Sequence, residues 1–378
     1  MTVAFTRPAW VEIDLDAITR NAGSLARLCA PAALCAVVKA DGYGHGAVEV
    51  ARAALDGGAT SLAVALVEEG VELREAGIGT DILVLSDPPR EACSGALGRE
   101  LIPTVSASST LFDILQALPR GARPRVHMKV DTGMHRMGCA PDDALSLARA
   151  ISAAGLHLDG LWTHLASADD PDQDGLTASQ LDQLGAVDRE LRAAGSPPRL
   201  VHAANSAGAI HHPRSRLDVV RCGIAIFGYA PSPRRPRPLD FDLIPALSLK
   251  ARVTALHDVP PGDGVSYGWN WRAPVAARVA TIPIGYADGV PRGLGDTSGE
   301  VLIRAKRRPL AGTVTMDQLM VAVDDDVQVG DEVVLIGAQE AERVTADDWA
   351  RLTGTISYEI LARLGPRLPR RYVQHGRP

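Results

Sequence analysis

The 378-residue chain lacks the marks of several large classes of protein. It has no basic excess. Thirty-nine Lys and Arg stand against 45 Asp and Glu, and the net charge of −6 argues against nucleic acid as the main partner, since phosphate binding needs a basic face. No apolar run approaches the ~20 residues of a membrane-spanning helix, so no membrane partner is expected. The opening MTVAFTRPAW has no basic segment followed by an apolar one, so no secretory signal is expected. The five cysteines (Cys29, Cys35, Cys93, Cys139 and Cys222) are odd in number and scattered, without a CxxC pair. They read as the thiols of a reduced, cytoplasmic protein with neither disulfides nor a metal site. No short-period repeat is visible. No GxGxxG follows the first apolar run, which disfavours a dinucleotide-binding doubly wound sheet.

What is present is ordinary globular composition, 46% hydrophobic and 22% charged, in a length that suits two domains or one large domain with an appendage. Eight short apolar runs recur at 33–39, 61–66, 81–86, 101–106, 125–130, 158–165, 199–205 and 219–227. Several intervals carry helical periodicity. Over 175–194, Leu176, Leu181, Leu184, Val187 and Leu191 make an apolar stripe, and Ser108 or Ser109 is placed to cap a helix carrying Leu111, Ile114, Leu115 and Leu118. Continuous apolar strands alternating with amphipathic helices imply a parallel sheet, and eight units imply a (β/α)8 barrel of TIM type. After Tyr229 the segment PSPRRPRP can neither pair in a sheet nor form a helix. Beyond it LSLKARVTAL, VAARVATIPI, EVLIRAK, TVTMDQLMVAV and DEVVLIG read as strands, followed by helices at TADDWARL and ISYEILARL. The expected domains are an N-terminal segment 1–9, a barrel 10–232 and a mostly-β domain 233–378, with WVEIDL able to join either domain.

Catalytic groups of such barrels gather at the C-terminal strand ends. Polar residues stand there: Lys39 and Tyr43 after the first run, Lys129, Asp131 and Arg136 after the fifth, His164 on the sixth, Asn205 and Ser206 on the seventh, Arg221 and Gly223 on the eighth. Each has an ordinary reading alone. A strand-end lysine reaches for water, His164 is a hydrogen-bonded core histidine, Asn205-Ser206 caps the next helix, and Arg221 is half of an ion pair. The convergence on one face points to a site. Ser206 and Gly223 offer a hydroxyl and a close-approaching backbone where barrels often hold phosphate. A lysine amine beside a phosphate site points to pyridoxal 5′-phosphate (PLP) attached at Lys39.

VVKADGYGHG, KVDTGMHRMG, THLASAD, HAANSAG, RCGIAIFGY, VSYGWNW, IPIGYADG, TVTMDQ and ISYEI together resemble bacterial alanine racemase of the barrel-fold type, from Trp10 to about Tyr372. The resemblance implies a cytoplasmic homodimer with shared active sites that racemises alanine and supplies D-alanine for peptidoglycan. It implies that Lys39 holds PLP and is one Cα base, that Tyr267 is the opposite-face base, and that His164 supports that tyrosine. It places Arg221 opposite the pyridine nitrogen, with Tyr43, Ser206, Gly223, Ile224 and Tyr358 at the phosphate. Arg136 and Met316 fall at the substrate carboxylate, Lys129 behind Arg136 (as a lysine carbamylated in some members), and Tyr286 where the way to the site narrows. Thr315 and the GWNW loop depart from the commoner family forms. The alternatives are a PLP-dependent decarboxylase on the same plan, a broad-specificity racemase, and a non-catalytic PLP carrier.

Overall fold

The computed structural model describes residues 6–232, 234–235 and 239–374. Residues 1–5 of the expected N-terminal segment, and positions 233 and 236–238 of the PSPRRPRP linker, lie outside the described residues. The chain divides into two compact units: one of residues up to Asp16, Tyr43–Gly46 and Pro245 onward, the other of Ala17–Gly42 and Ala47–Ile244.

After a first strand, β1 (Ala9–Asp14), and helix α1 (Leu15–Cys29), eight parallel strands follow. They are β2 (Ala33–Val37), β3 (Ser61–Val64), β4 (Asp81–Val84), β5 (Ile102–Val105), β6 (Arg125–Lys129), β7 (His157–Trp162), β8 (Leu200–His202) and β9 (Val219–Cys222). β9 pairs back onto β2, Val219 opposite Ala33, and closes the barrel. A single turn, α2 (Lys39–Gly44), leaves β2, and helices α3 (Ala47–Asp56), α4 (Val67–Glu75), α5 (Arg90–Gly98), α6 (Ser108–Gln116), α7 (Ala144–Ala153), α8 (Asp174–Ala193) and α9 (Ser206–His211) separate the strands. Strand residues alternate in direction. Val126 and Met128 of β6 pack outward in the core with Ile114, Leu147 and Ile151 of the helices, while His127 and Lys129 take the other face. Asn21 of α1 donates to Ile226 O and Ile244 O, at 3.0 and 2.8 Å, and accepts from Ile244 N–H, which ties the chain leaving the barrel to the barrel's first helix.

Two local expectations change. α6 begins as expected, but its N-cap is Ala107 with no side-chain cap; neither Ser108 nor Ser109 serves, and Ser106 is engaged with Asp87. On α8 the buried face is Thr177, Gln180, Leu184, Val187 and Leu191, while Leu176 is 37% exposed. The stripe is displaced because Gln180 is needed inside: it accepts from Ala166 N–H and donates to His164 O, both at 2.9 Å. It holds the segment that carries His164.

In the other unit, β10 (Leu247–Arg252), β11 (Ala255–Val259), β12 (Gly264–Val265), β13 (Trp271–Arg272), β14 (Ala277–Ile282), β15 (Glu300–Ile303), β16 (Lys306–Pro309), β17 (Leu319–Val323), β18 (Glu332–Gln339), β19 (Glu342–Val344) and β20 (Arg370–Val373) form sheets, with helices α10 (Ala346–Thr353) and α11 (Ser357–Ala362). The largest sheet runs β16-β15-β18-β10-β1-β20. WVEIDL is thus no part of the barrel: β1 pairs antiparallel with β10 and parallel with β20. Its burial alternates, with Val11 and Ile13 inside, and Glu12 takes an ion pair from Lys250 at 2.7 Å. EVLIRAK is not one strand. Arg304 and Ala305, both at positive φ, turn β15 into β16.

Candidate active site

At the exit of β2, Val38 continues the ladder through its N–H to Ala63 O at 2.9 Å, and Lys39 follows. The next residues wind left-handed: Ala40, Asp41, Gly42, Tyr43 and Gly44 have φ of 53, 52, 59, 54 and 80°. Left-handed winding costs about 1–2 kcal/mol for each non-glycine residue. Gly42 N–H returns to Val38 O at 2.9 Å, and Asp41 Oδ1 accepts Ala47 N–H at 3.0 Å. Such strain persists only where surrounding contacts over-determine it, and it clusters at functional sites. Burial, then the Arg136 guanidinium, push the Lys39 amine below its usual range against an opposing pull from Glu69. The neutral amine, the form that attacks a carbonyl, is therefore more accessible than in a free lysine.

The other barrel residues expected at the site meet Lys39's end of the barrel. Lys129 ends β6 and is buried, and burial, Arg136 and Arg221 push its amine down to about 8. Asp131 Oδ1 accepts the N–H groups of Gly133, Met134 and His135, which fixes the turn leading to Arg136. His164 is held far below the usual histidine range by burial and by four cations, Arg221, Arg136, Lys129 and Lys39. Its Nδ1 faces Arg221 Nη2 at 3.4 Å, so the neutral ring carries its proton on Nε2. Lys129 Nζ and Arg221 Cζ each lie 4.7 Å from the Trp162 ring centroid. Asn205 caps α9 through Gly208 N–H at 2.9 Å, and Ser206 Oγ accepts Gly223 N–H at 3.0 Å, bringing Ser206, Gly223 and Ile224 to one corner. None of Lys39, Lys129, Arg136 and Arg221 forms an ion pair with a described carboxylate. That concentration of unpaired cations fits an anionic ligand such as a phosphate and a carboxylate.

Arg221 is not half of an ion pair. It is buried, and burial lowers its guanidinium to about 10, which leaves it charged at neutral pH. Its partners are neutral: Thr163 O at 2.9 Å, Ala203 O at 3.0 Å and His202 Nδ1 at 2.7 Å. Because Arg221 can only donate, His202 accepts at Nδ1 and must carry its proton on Nε2. His202 Nε2 then donates to His127 Nδ1 at 3.0 Å, and His127 Nε2 faces Asp159 Oδ2 at 3.6 Å. Asp159 ends the chain in a two-pronged bond to Arg199, both arms 2.8 Å. Burial alone would raise the Asp159 carboxyl, but Arg199 and His127 hold it well below the usual range. Asp159→Asn should therefore cost about 2–4 kcal/mol in urea unfolding at pH 7, by breaking a buried charged contact. Since a depressed carboxyl stabilises only above its unfolded pKa of about 3.9, the gap between variant and parent should narrow as pH falls below about 4.

The remaining expected residues lie in the β unit. Tyr43 and Tyr358 rings sit 6.2 Å apart, and Arg370 donates to Gly44 O at 3.0 Å and Leu364 O at 2.7 Å. Gly44 has no room for a side chain: an added Cβ would come within 2.3 Å of Leu361 O. Tyr286 N–H and Ala287 N–H bond Thr315 O and Met316 O, both at 3.0 Å, so Tyr286 and Met316 travel together. Thr315 Oγ1 accepts Gln318 N–H at 3.1 Å, a turn-closing role. Thr313 Oγ1 donates to Tyr267 O at 3.1 Å and Ser266 Oγ to Thr313 O at 2.7 Å, tying a third loop alongside. These loops leave Tyr267 at 74%, Trp269 at 55%, Met316 at 53% and Tyr286 at 41% exposure.

Trp162, His127, His202 and Asp159 were absent from the sequence-derived site. Their signal was polar or bulky residues at alternate positions inside apolar strands, as in RVHMK, where His127 and Lys129 share a face.

Residues 13–231 match the alanine racemase N-terminal domain family and residues 246–372 the alanine racemase C-terminal domain family. An alanine racemase of Symbiobacterium thermophilum is 46% identical over 377 residues, covering 97% of each chain. The crystal structure of an alanine racemase from Bacillus anthracis with bound L-Ala-P superposes with a TM-score of 0.94 at 36% identity, covering 99% of this chain and 97% of that one. A histidine racemase from Leuconostoc mesenteroides superposes with a TM-score of 0.90 at 31% identity, covering 98% and 99%.

Proposed function

The chain belongs to the alanine racemase family and is an isomerase, and we propose that it interconverts L- and D-alanine with PLP held at Lys39. The observation that carries this reading is a desolvated lysine among unpaired cations at the C-terminal end of a parallel barrel. PLP, when bound, supplies the electron sink that acidifies the substrate Cα–H. By the family resemblance Lys39 would anchor it, Ser206, Gly223, Ile224, Tyr43 and Tyr358 would be its phosphate contacts, and Arg221 would serve the pyridine nitrogen. A charged Arg221 can only donate, so it leaves that nitrogen unprotonated. Arg136 and Met316 receive the substrate carboxylate, with Lys129 behind Arg136; an amine at about 8 is neutral often enough to react with CO2, which fits carbamylation there.

Racemisation needs a base on each face of Cα. Lys39 takes or gives the proton on one face, and Tyr267 of a second copy of the chain does so on the other. Neutral His164 supports that tyrosine. The exposed Tyr267, Trp269, Tyr286 and Met316 support a homodimer closed through this face. The product D-alanine is suited to peptidoglycan synthesis in the cytoplasm.

The test is incubation of PLP-loaded protein with single L-amino acids in D2O. L-Alanine should yield D-alanine with deuterium at Cα and no CO2. CO2 release instead would identify a decarboxylase, and bound PLP without exchange a carrier. The family resemblance assigns the bulky Tyr267, Tyr286 and Tyr358 to the substrate's surroundings, so alanine should outpace larger substrates. One methylene discriminates by about 1–3 kcal/mol, so serine should be a measurable minor substrate. Histidine or lysine turned over faster than alanine would overturn the alanine assignment in favour of a broader racemase.

A further inference from the structure

Glu69, on α4, belongs to none of the motifs above. Its Oε2 accepts the N–H groups of Ala65 and Leu66, at 2.8 and 3.0 Å, as a helix-capping glutamate does. Capping needs no more than that. Its Oε1 reaches away from α4 and accepts the N–H of Ala40 at 2.6 Å. Ala40 is the first left-handed residue and the one directly after Lys39. A carboxylate held by three backbone amides has no freedom to relax, so it fixes both things it touches.

We propose that Glu69 is a positioning residue for Lys39: it clamps the start of the left-handed turn to the N-terminus of α4 and so fixes the direction in which the lysine leaves β2. This rests on the reading of Lys39 as the cofactor-bearing residue. The second consequence is electrostatic. Around Lys39, Arg136 opposes the ammonium form while the Glu69 carboxylate favours it. Lys129 and Arg221 add positive charge on the His164 side, and Glu72 lies in the field of Asp41 and Glu69. Among these groups Glu69 is the carboxylate that acts on Lys39 and is bonded to its neighbour.

The experiment uses the full-length chain, freed of PLP, and acetic anhydride as the probe of Lys39, with peptide mapping across a range of pH. In Glu69→Gln the pH at which half of Lys39 reacts should fall, by about half a unit or more, because the charge favouring the ammonium is gone. Glu68→Gln, the same charge change on the exposed neighbouring position, should leave that midpoint where it is. Glu69→Asp keeps the charge but shortens the reach. It should hold the midpoint yet lose PLP several-fold faster on dialysis, with KM for alanine unchanged and kcat lowered. A Glu69→Gln protein whose Lys39 midpoint matches the parent, with only its Tm lowered, would reduce Glu69 to a helix cap and overturn the proposal. So would a Glu69→Asp protein indistinguishable from the parent in PLP retention and kcat, which decides the matter if the Gln variant does not fold. If the parent itself takes up no PLP, the proposed function fails, whereas a shifted Lys39 midpoint in Glu69→Gln would still stand.

Discussion

Lys39→Ala is expected to lose racemisation by at least about 10⁴-fold, because in the proposed mechanism one substitution removes both the cofactor's anchor and a Cα base. The protein should remain folded. The amine it loses is desolvated and opposed by Arg136, so its removal relieves an unfavourable charge. The melting temperature of the PLP-free variant should equal or exceed that of the PLP-free parent. Borohydride reduction of the parent followed by peptide mapping should find PLP on Lys39 and nowhere else. Lys129 is the competing amine, since it too is pushed down, to about 8, at the same end of the barrel. A label on Lys129, or retained racemisation in Lys39→Ala, would refute the assignment.

Mixing inactive Lys39→Ala with inactive Tyr267→Ala chains should restore about a quarter of parental activity. In a two-fold dimer the two interface patches are equivalent, so equal mixing gives about half heterodimers, each with one site carrying both lesions and one carrying neither. The exposure of Tyr267 at 74% is consistent with a residue that works away from its own chain. Differently tagged subunits verify that exchange has occurred. Verified heterodimers without activity would place both bases in one chain and leave Tyr267 needing another role.

The eight barrel strands were legible because parallel strands covered on both faces are continuous apolar runs, and their C-terminal ends carried the polar residues. Lys39, Lys129, Arg136, His164 and Arg221 follow from that pattern alone. What escaped lies between the ends. His127 sits mid-strand and His202 ends the short β8, and a polar side chain inside an apolar run reads as an interruption until a partner across the barrel explains it. Glu69 carries no sequence signal, since three hydrogen bonds to backbone leave no trace in composition. The left-handed turn was half visible, in Gly42 and Gly44, but nothing local marks Ala40, Asp41 and Tyr43 for positive φ. The Arg304-Ala305 turn hid for the same reason, a reversal made without glycine.

The pairing of β1 with β20 bears on how the chain is made. Val11 lies opposite Arg370 in that sheet, so β1 waits for a strand made far later in the chain. At about 5–20 residues per second, β1 spends tens of seconds after emerging with one edge unpaired. Asn21 and Ile244 close the barrel's ends much sooner. A ribosome that stalls between those points releases a chain whose barrel residues are all present and whose sheet has an open, apolar-faced edge. Termination between Ile244 and Arg370 should thus yield aggregates, where truncation of a peripheral helix would yield soluble protein.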